Sequence, residues 1–99
     1  SIACTDNPAS TSTTFVINHN FTGSMVDVII DVFDMSGRLL WSHSESGPSK
    51  RTTYTVDWDL TVDNGRRLET GVYLYRVRIG GSGGAKVSKA KKLVIVGNK

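Results

Sequence analysis

Val26-Asp27-Val28-Ile29-Ile30-Asp31-Val32-Phe33-Asp34-Met35-Ser36-Gly37 is the stretch that decides the fold. Val28, Ile30 and Val32 alternate with Asp27, Ile29, Asp31 and Phe33. This is the period of a β-strand, and apolar character on both faces in its middle predicts a central strand. Asp34-Met35-Ser36-Gly37 reads as a tight turn with Gly37 free to take positive φ, so the chain should return as a hairpin over Arg38 to Ser44.

The same pattern continues outward in both directions. Upstream, Thr14 to Asn20 places Phe15 and Ile17 on one face and Val16 and Asn18 on the other. Downstream, after the polar stretch Glu45 to Arg51, Thr52 to Trp58 sets Tyr54, Val56 and Trp58 against Thr53, Thr55 and Asp57. Asp59 to Arg67 is a loop turning at Asp63-Asn64-Gly65. Val72 to Ile79 then opposes Tyr73, Tyr75, Val77 and Ile79 to Leu74, Arg76 and Arg78. Gly80 to Gly84 forms a hairpin tip, and Lys86 to Val96 is a last strand. No segment has a helical period.

Segments of this kind, repeating at roughly ten-residue intervals between turn residues, predict an all-β, immunoglobulin-like antiparallel sandwich of about seven strands. Its expected core is Phe15, Val28, Ile30, Val32, Trp41, Tyr54, Val56, Trp58, Tyr75 and Val77. Gly71-Val72-Tyr73 resembles the tyrosine corner of such folds. The domain is expected over 14–96, with 1–13 a linking segment from a parent protein and 97–99 a tail.

Bulk properties bound the function. Ninety-nine residues suit one core. The longest apolar runs, Val28-Ile29-Ile30 and Leu93 to Val96, fall far short of the roughly 18 residues that cross a bilayer. The N-terminus lacks the pattern of a secretory signal, so any such address is expected to have been removed or to lie elsewhere in a parent chain. Cys4 is the only cysteine, which precludes an internal disulfide. The net charge of +3 is unevenly spread. Residues 1–37 hold Asp6, Asp27, Asp31 and Asp34 with no Lys or Arg, whereas Lys86, Lys89, Lys91, Lys92 and Lys99 occur without an acid. That basic stretch suits either an anionic partner or a lysine-guarded strand edge.

Catalytic chemistry finds no foothold. The only histidines, His19 and His43, lie at predicted strand ends, and Cys4 sits in an N-terminal segment without a nucleophile signature. One Cys and two scattered His lack zinc-ligand spacing. Asp57, Asp59, Asp63 and Asn64 suggest calcium, but an EF-hand needs glycine where Asn64 stands, and turn chemistry accounts for them. No glycine-rich loop opens a helix to cradle phosphate, and the lysines lack interleaved exposed aromatics for nucleic acid. Asn20-Phe21-Thr22 is formally a glycosylation triplet and is assigned no role. Leu93-Val94-Ile95-Val96 is apolar on both faces. Either a partner covers its outer side, or it is a well-buried terminal strand. If Val94 and Val96 point inward, Leu93 and Ile95 point outward.

The ordered motifs add a family. Asn7-Pro8, Phe15-Val16-Ile17-Asn18-His19-Asn20, Val28 to Arg38 ending Asp34-Met35-Ser36-Gly37-Arg38, Trp58-Asp59, Asp63-Asn64-Gly65, Leu68, Gly71 to Tyr75 and Lys92 to Ile95 succeed one another over nearly the whole chain. Together they resemble the C-terminal sorting domains of the type IX (Por) secretion system of Bacteroidetes. They are more distantly similar to the immunoglobulin-like domain of flagellar hook-capping proteins. Within that family the Phe15 to Asn20 segment is similar to the terminal domain of the gingipain-like sortase.

The resemblance implies a non-catalytic sorting and docking domain without cofactor or metal, exported through the periplasm to the outer-membrane surface. The implied partners are an outer-membrane shuttle β-barrel, the translocon and the catalytic domain of its own parent chain. Neither nucleic acid nor a transmembrane segment is expected, and edge-strand dimerisation is open. The expected recognition residues are Lys89, Lys91, Lys92, Leu93 and Ile95 on the last strand, read by edge pairing. The competing function is an accessory carbohydrate-binding or adhesion sandwich. The family usually has Trp-Asp-Gly where this chain has Trp58-Asp59-Leu60, which implies a different turn there.

Overall fold

A computed structural model describes residues 1–21, 24–49, 52–81 and 84–97. Thr22 of the glycosylation triplet, Ser82 and Gly83 of the glycine-rich tip, and the tail residue Lys99 lie outside the described residues. The strands are β1 (Ile2–Thr5), β2 (Thr13–Asn18), β3 (Ser24–Phe33), β4 (Leu39–Ser49), β5 (Thr53–Trp58), β6 (Gly71–Gly81), β7 (Gly84–Val87) and β8 (Lys91–Ile95). They form two antiparallel sheets. One has the order β1-β2-β5; the other is β4-β3-β6, with both β7 and β8 on the outer side of β6. The immunoglobulin-like sandwich is thus present, and β3 is a central strand as its two apolar faces require.

The fold departs from the sequence expectation at both ends of the chain. Residues 1–13 do not lie outside the sandwich: Ile2, Cys4 and Ala9 are buried, and β1 pairs along its length with β2. The alternation of Ile2 and Cys4 is too short to register as a strand from sequence. At the other end, the last strand is broken. Arg78 pairs with Val87 and Tyr75 with Lys91, so the outer chain carries one extra residue across Ser88 to Ala90. That bulge is fastened by Ser88, whose backbone N–H donates to Val77 O at 2.8 Å and whose Oγ accepts from Val77 N at 2.9 Å.

The core lies between the inner faces. Phe15 packs edge-on to Tyr75 at 5.5 Å and beside Trp58 at 6.1 Å, with Ile17, Val28, Ile30, Val32, Val56 and Val77 buried around them. Trp41 and Tyr54 are only partly buried, because they close the seam where the edge strands β4 and β5 meet. There Trp41 stacks on Trp58 at 4.4 Å, and Trp58 Nε1 donates to Thr61 O at 2.8 Å.

The turns obey their local chemistry. Asp34 Oδ1 accepts from the backbone of Ser36 and of Arg38 at 3.0 and 2.9 Å, and Gly37 takes φ +91°. Tyr73 OH donates to Glu69 O at 2.6 Å, four residues upstream, which is the tyrosine corner. Leu60 corrects an expectation. It adopts φ +68°, the left-handed conformation that suits glycine, while its side chain is fully buried. The turn therefore keeps a glycine-like backbone, and leucine trades strain for core volume.

Leu60→Gly should accordingly show two opposed effects. Loss of the buried side chain costs about 2–5 kcal/mol, and relief of the left-handed strain returns about 1–2 kcal/mol. A net loss of up to about 4 kcal/mol in urea unfolding is expected. A gain in stability would show that the side chain contributes little to the core.

Candidate functional site

The lysine-bearing last strand does not present one face. Lys89 is exposed on the bulge between β7 and β8. Lys91, opposite Tyr75, turns toward β1 and donates from Nζ to the Ile2 carbonyl. Lys92, opposite Leu74, stands exposed on the outer face of the larger sheet. Leu93 and Ile95 are fully buried, opposite Tyr73 and Gly71 on the inner side, whereas Val94 is half-buried and Val96 exposed. The face assignment drawn from sequence is therefore reversed. With apolar residues on both faces the alternation carries no sign, and only the pairing with β6 supplies one.

The free edge of β8 is also closed. Ala9 N donates to Val94 O and Val96 N to Ala9 O, both at 2.8 Å. Asn7 Nδ2 donates to Lys92 O, and Asn7 Oδ1 accepts from Val94 N, both at 2.9 Å. Arg67 Nη2 ties the strap down by donating to Ser10 O and Val96 O. The Asn7-Pro8 motif thus sheathes the strand that sequence offers for edge pairing, a known way of guarding a sheet edge.

The potentially reactive groups are fixed in structural roles. Cys4 is buried beside Thr13 and Tyr75, and burial pushes its thiol up to about 11, so the nucleophilic thiolate is scarce at neutral pH. His19 is buried, with Nδ1 accepting from Phe21 N at 2.9 Å and Nε2 2.7 Å from Ser49 Oγ. This arrangement puts the ring proton on Nε2. His43 stacks on Trp41 at 5.5 Å and meets Glu45 Oε1 at 2.8 Å, while Tyr54 OH donates to Glu45 Oε2. The Tyr54 hydrogen bond holds Glu45 below the usual carboxylate range, and the same bond to the Glu45 carboxylate pushes Tyr54 up to about 12. Asp59 closes its own turn by accepting from Thr61 N at 3.1 Å. The aromatics Trp41, Tyr54 and Tyr73 pack against the core, which disfavours the carbohydrate-binding reading.

One cluster escapes the sequence reading. Asp31 lies on the outer face of β3 yet is buried, accepting from Ser42 Oγ at 2.7 Å, Arg76 Nη2 at 2.9 Å and Arg78 Nη2 at 3.0 Å. Its signal is present in the chain: an acid in the middle of an apolar strand, and arginines two apart on another. Burial disfavours the charge, but the Ser42, Arg76 and Arg78 hydrogen bonds outweigh it and hold the carboxyl below its ordinary value. A carboxyl lowered on folding stabilises the fold above the ordinary carboxylate range and loses that contribution as pH falls through the lowered value. Asp31→Asn should cost about 1–3 kcal/mol near neutral pH, discounted for the half-exposed arginines. In urea unfolding across a pH series the gap to the parent chain should close on acidification. A gap independent of pH would show that the Asp31 charge contributes nothing.

No helix among the described residues is long and apolar enough to cross a membrane. No family model matches the chain, and no curated protein matches it. Among solved structures, dimeric latent PorU from Porphyromonas gingivalis matches with a TM-score of 0.83 at 34% identity, covering 98% of this chain and 9% of that one. The chain thus spans about a tenth of the length of that protein. Motif order, sandwich topology and the match over almost every residue agree, and the chain is a PorU-like immunoglobulin-type β-sandwich domain.

Proposed function

We propose that this domain is a non-catalytic sorting and docking module of the type IX secretion system, joined to a cysteine-peptidase-like sortase. In this reading the parent is exported to the periplasm and passes the translocon to the outer-membrane surface. The module is recognised by the shuttle barrel and docks on its parent's catalytic domain. The observation that carries the reading is the match to PorU over 98% of the chain at 34% identity. The buried Cys4 and the structural engagement of both histidines support a binding rather than a catalytic role.

Within the recognition set, Lys89, Lys91 and Lys92 are the exposed members, and Leu93 and Ile95 act from the core by fixing the strand that displays them. Fusion of the domain to an unrelated exported reporter in a type IX-competent host should bring the reporter to the cell surface. Lys89→Glu with Lys92→Glu, which spares the Lys91 bond to Ile2, should reduce delivery severalfold at a nearly unchanged melting curve. A reporter retained in the periplasm despite a folded domain would refute the sorting role, and full delivery of the double variant would remove the lysines from it.

A further inference from the structure

The two outer faces of the sandwich are chemically unlike. On the smaller sheet, Thr14 donates to Asp57 and Thr53 to Asn18, at 2.8 and 2.9 Å, so its cross-strand polar groups satisfy one another. On the larger sheet, successive cross-strand rows read Val72 beside Val94, then Phe33, Leu74 and Lys92, then Asp31 beside Arg76, then Ile29, Arg78 and Val87. Phe33, Leu74 and Val94 are half-buried with no layer above them among the described residues, and Val72 and Val87 are 42% and 62% exposed.

We propose that this outer face is an interaction surface for an acidic, aliphatic-studded surface of a partner protein; it deepens the docking reading above by naming the partner's chemistry. Charge complementarity commits the occupant. One carboxylate, with its side chain 4% exposed, holds two guanidiniums whose side chains remain 41% and 43% exposed, so the cluster keeps one unbalanced positive charge. Lys92 lies beside its apolar rows, while the other acid on this face, Asp27, sits at the far end and is engaged by Ser46. Arg76 also lies over the Phe33 ring at 5.4 Å. Guanidiniums fixed in this way have surrendered much of their rotamer freedom before a partner arrives, and their remaining N–H groups match carboxylates in forked geometry. Arginine and aromatic side chains among aliphatics, with few lysines, are the composition of protein interfaces.

The test is titration of the isotope-labelled chain with an extended peptide alternating Glu and Leu, its Lys–Leu counterpart, and vesicles of phosphatidylcholine and phosphatidylglycerol in equal parts. The Glu–Leu peptide should shift amide signals of Phe33, Leu74, Arg76, Arg78 and Val94, with affinity falling as salt rises. Neutralising the cluster together, as Asp31→Asn with Arg76→Gln and Arg78→Gln, avoids a stranded buried charge and should weaken binding about tenfold or more. Val72→Thr with Val94→Thr keeps strand-forming residues and should weaken it while the spectrum stays folded. No binding, equal binding of the Lys–Leu peptide, shifts elsewhere, undiminished binding by the folded variants, or preference for the vesicles would each overturn the proposal. Surface delivery of the fused reporter separates the two readings. Delivery without peptide binding at this face sinks the surface alone; binding without delivery sinks the sorting role alone.

Discussion

Trp58→Ala is expected to remove about 3–5 kcal/mol of stability, the largest loss from any single truncation in the core. Trp58 is buried where both sheets converge: Phe15 lies on one side, the Trp41 ring is stacked at 4.4 Å on the other, and the indole N–H is satisfied by the Thr61 carbonyl. Truncation would leave a cavity the size of an indole and an unpaired carbonyl in the turn that also holds Leu60. Domains of this size are stable by about 5–15 kcal/mol, so the variant should sit near its unfolding threshold. Trp41→Ala, at the half-exposed seam, should cost about 1–2 kcal/mol. Urea unfolding of the two variants side by side checks the order. A loss below about 1 kcal/mol for Trp58→Ala would show that the inter-sheet core does not depend on it.

Much of this architecture is legible in the sequence because the relevant side chains carry a face and a sign. Phe15, Ile17, Val56, Trp58, Tyr75 and Val77 stand on alternating positions of their strands, mostly between polar neighbours, so strand and inward direction emerge together. Asp34 to Gly37 and the Tyr73 corner are local hydrogen-bond devices, visible wherever their residues stand in order. What escapes is non-local. The strap at Asn7 to Ala9 gains its meaning only from Lys92, Val94 and Val96, more than eighty residues away. Asp31 looks like one alternating acid until pairing sets Arg76 and Ser42 beside it. The bulge at Ser88 to Ala90 has no glycine or proline to announce it, being stabilised by a serine hydroxyl and one backbone bond to Val77.

The last strand gives the sharpest contrast between two adjacent residues. Ile95→Asp should unfold the domain at neutral pH. It deletes a fully buried side chain worth about 2–5 kcal/mol and places a carboxylate with no partner among apolar neighbours, at several kcal/mol more. Together these reach into the range of stability that a domain of this size has to lose, about 5–15 kcal/mol. Val94→Asp, one residue away, should remain folded. That side chain lies on the outer face opposite Val72 and two residues from Lys92, where a carboxylate keeps its water. Its contacts with the Asn7 and Ala9 strap are made by backbone atoms and by the Asn7 amide, so the substitution leaves them intact. A cost of about 1 kcal/mol is expected. Circular dichroism and thermal unfolding of the two variants decide the question directly. A folded Ile95→Asp beside an unfolded Val94→Asp would mean that β8 lies in the opposite register, with Leu93 and Ile95 outward, and the surface proposed for the larger sheet would have to be redrawn around them.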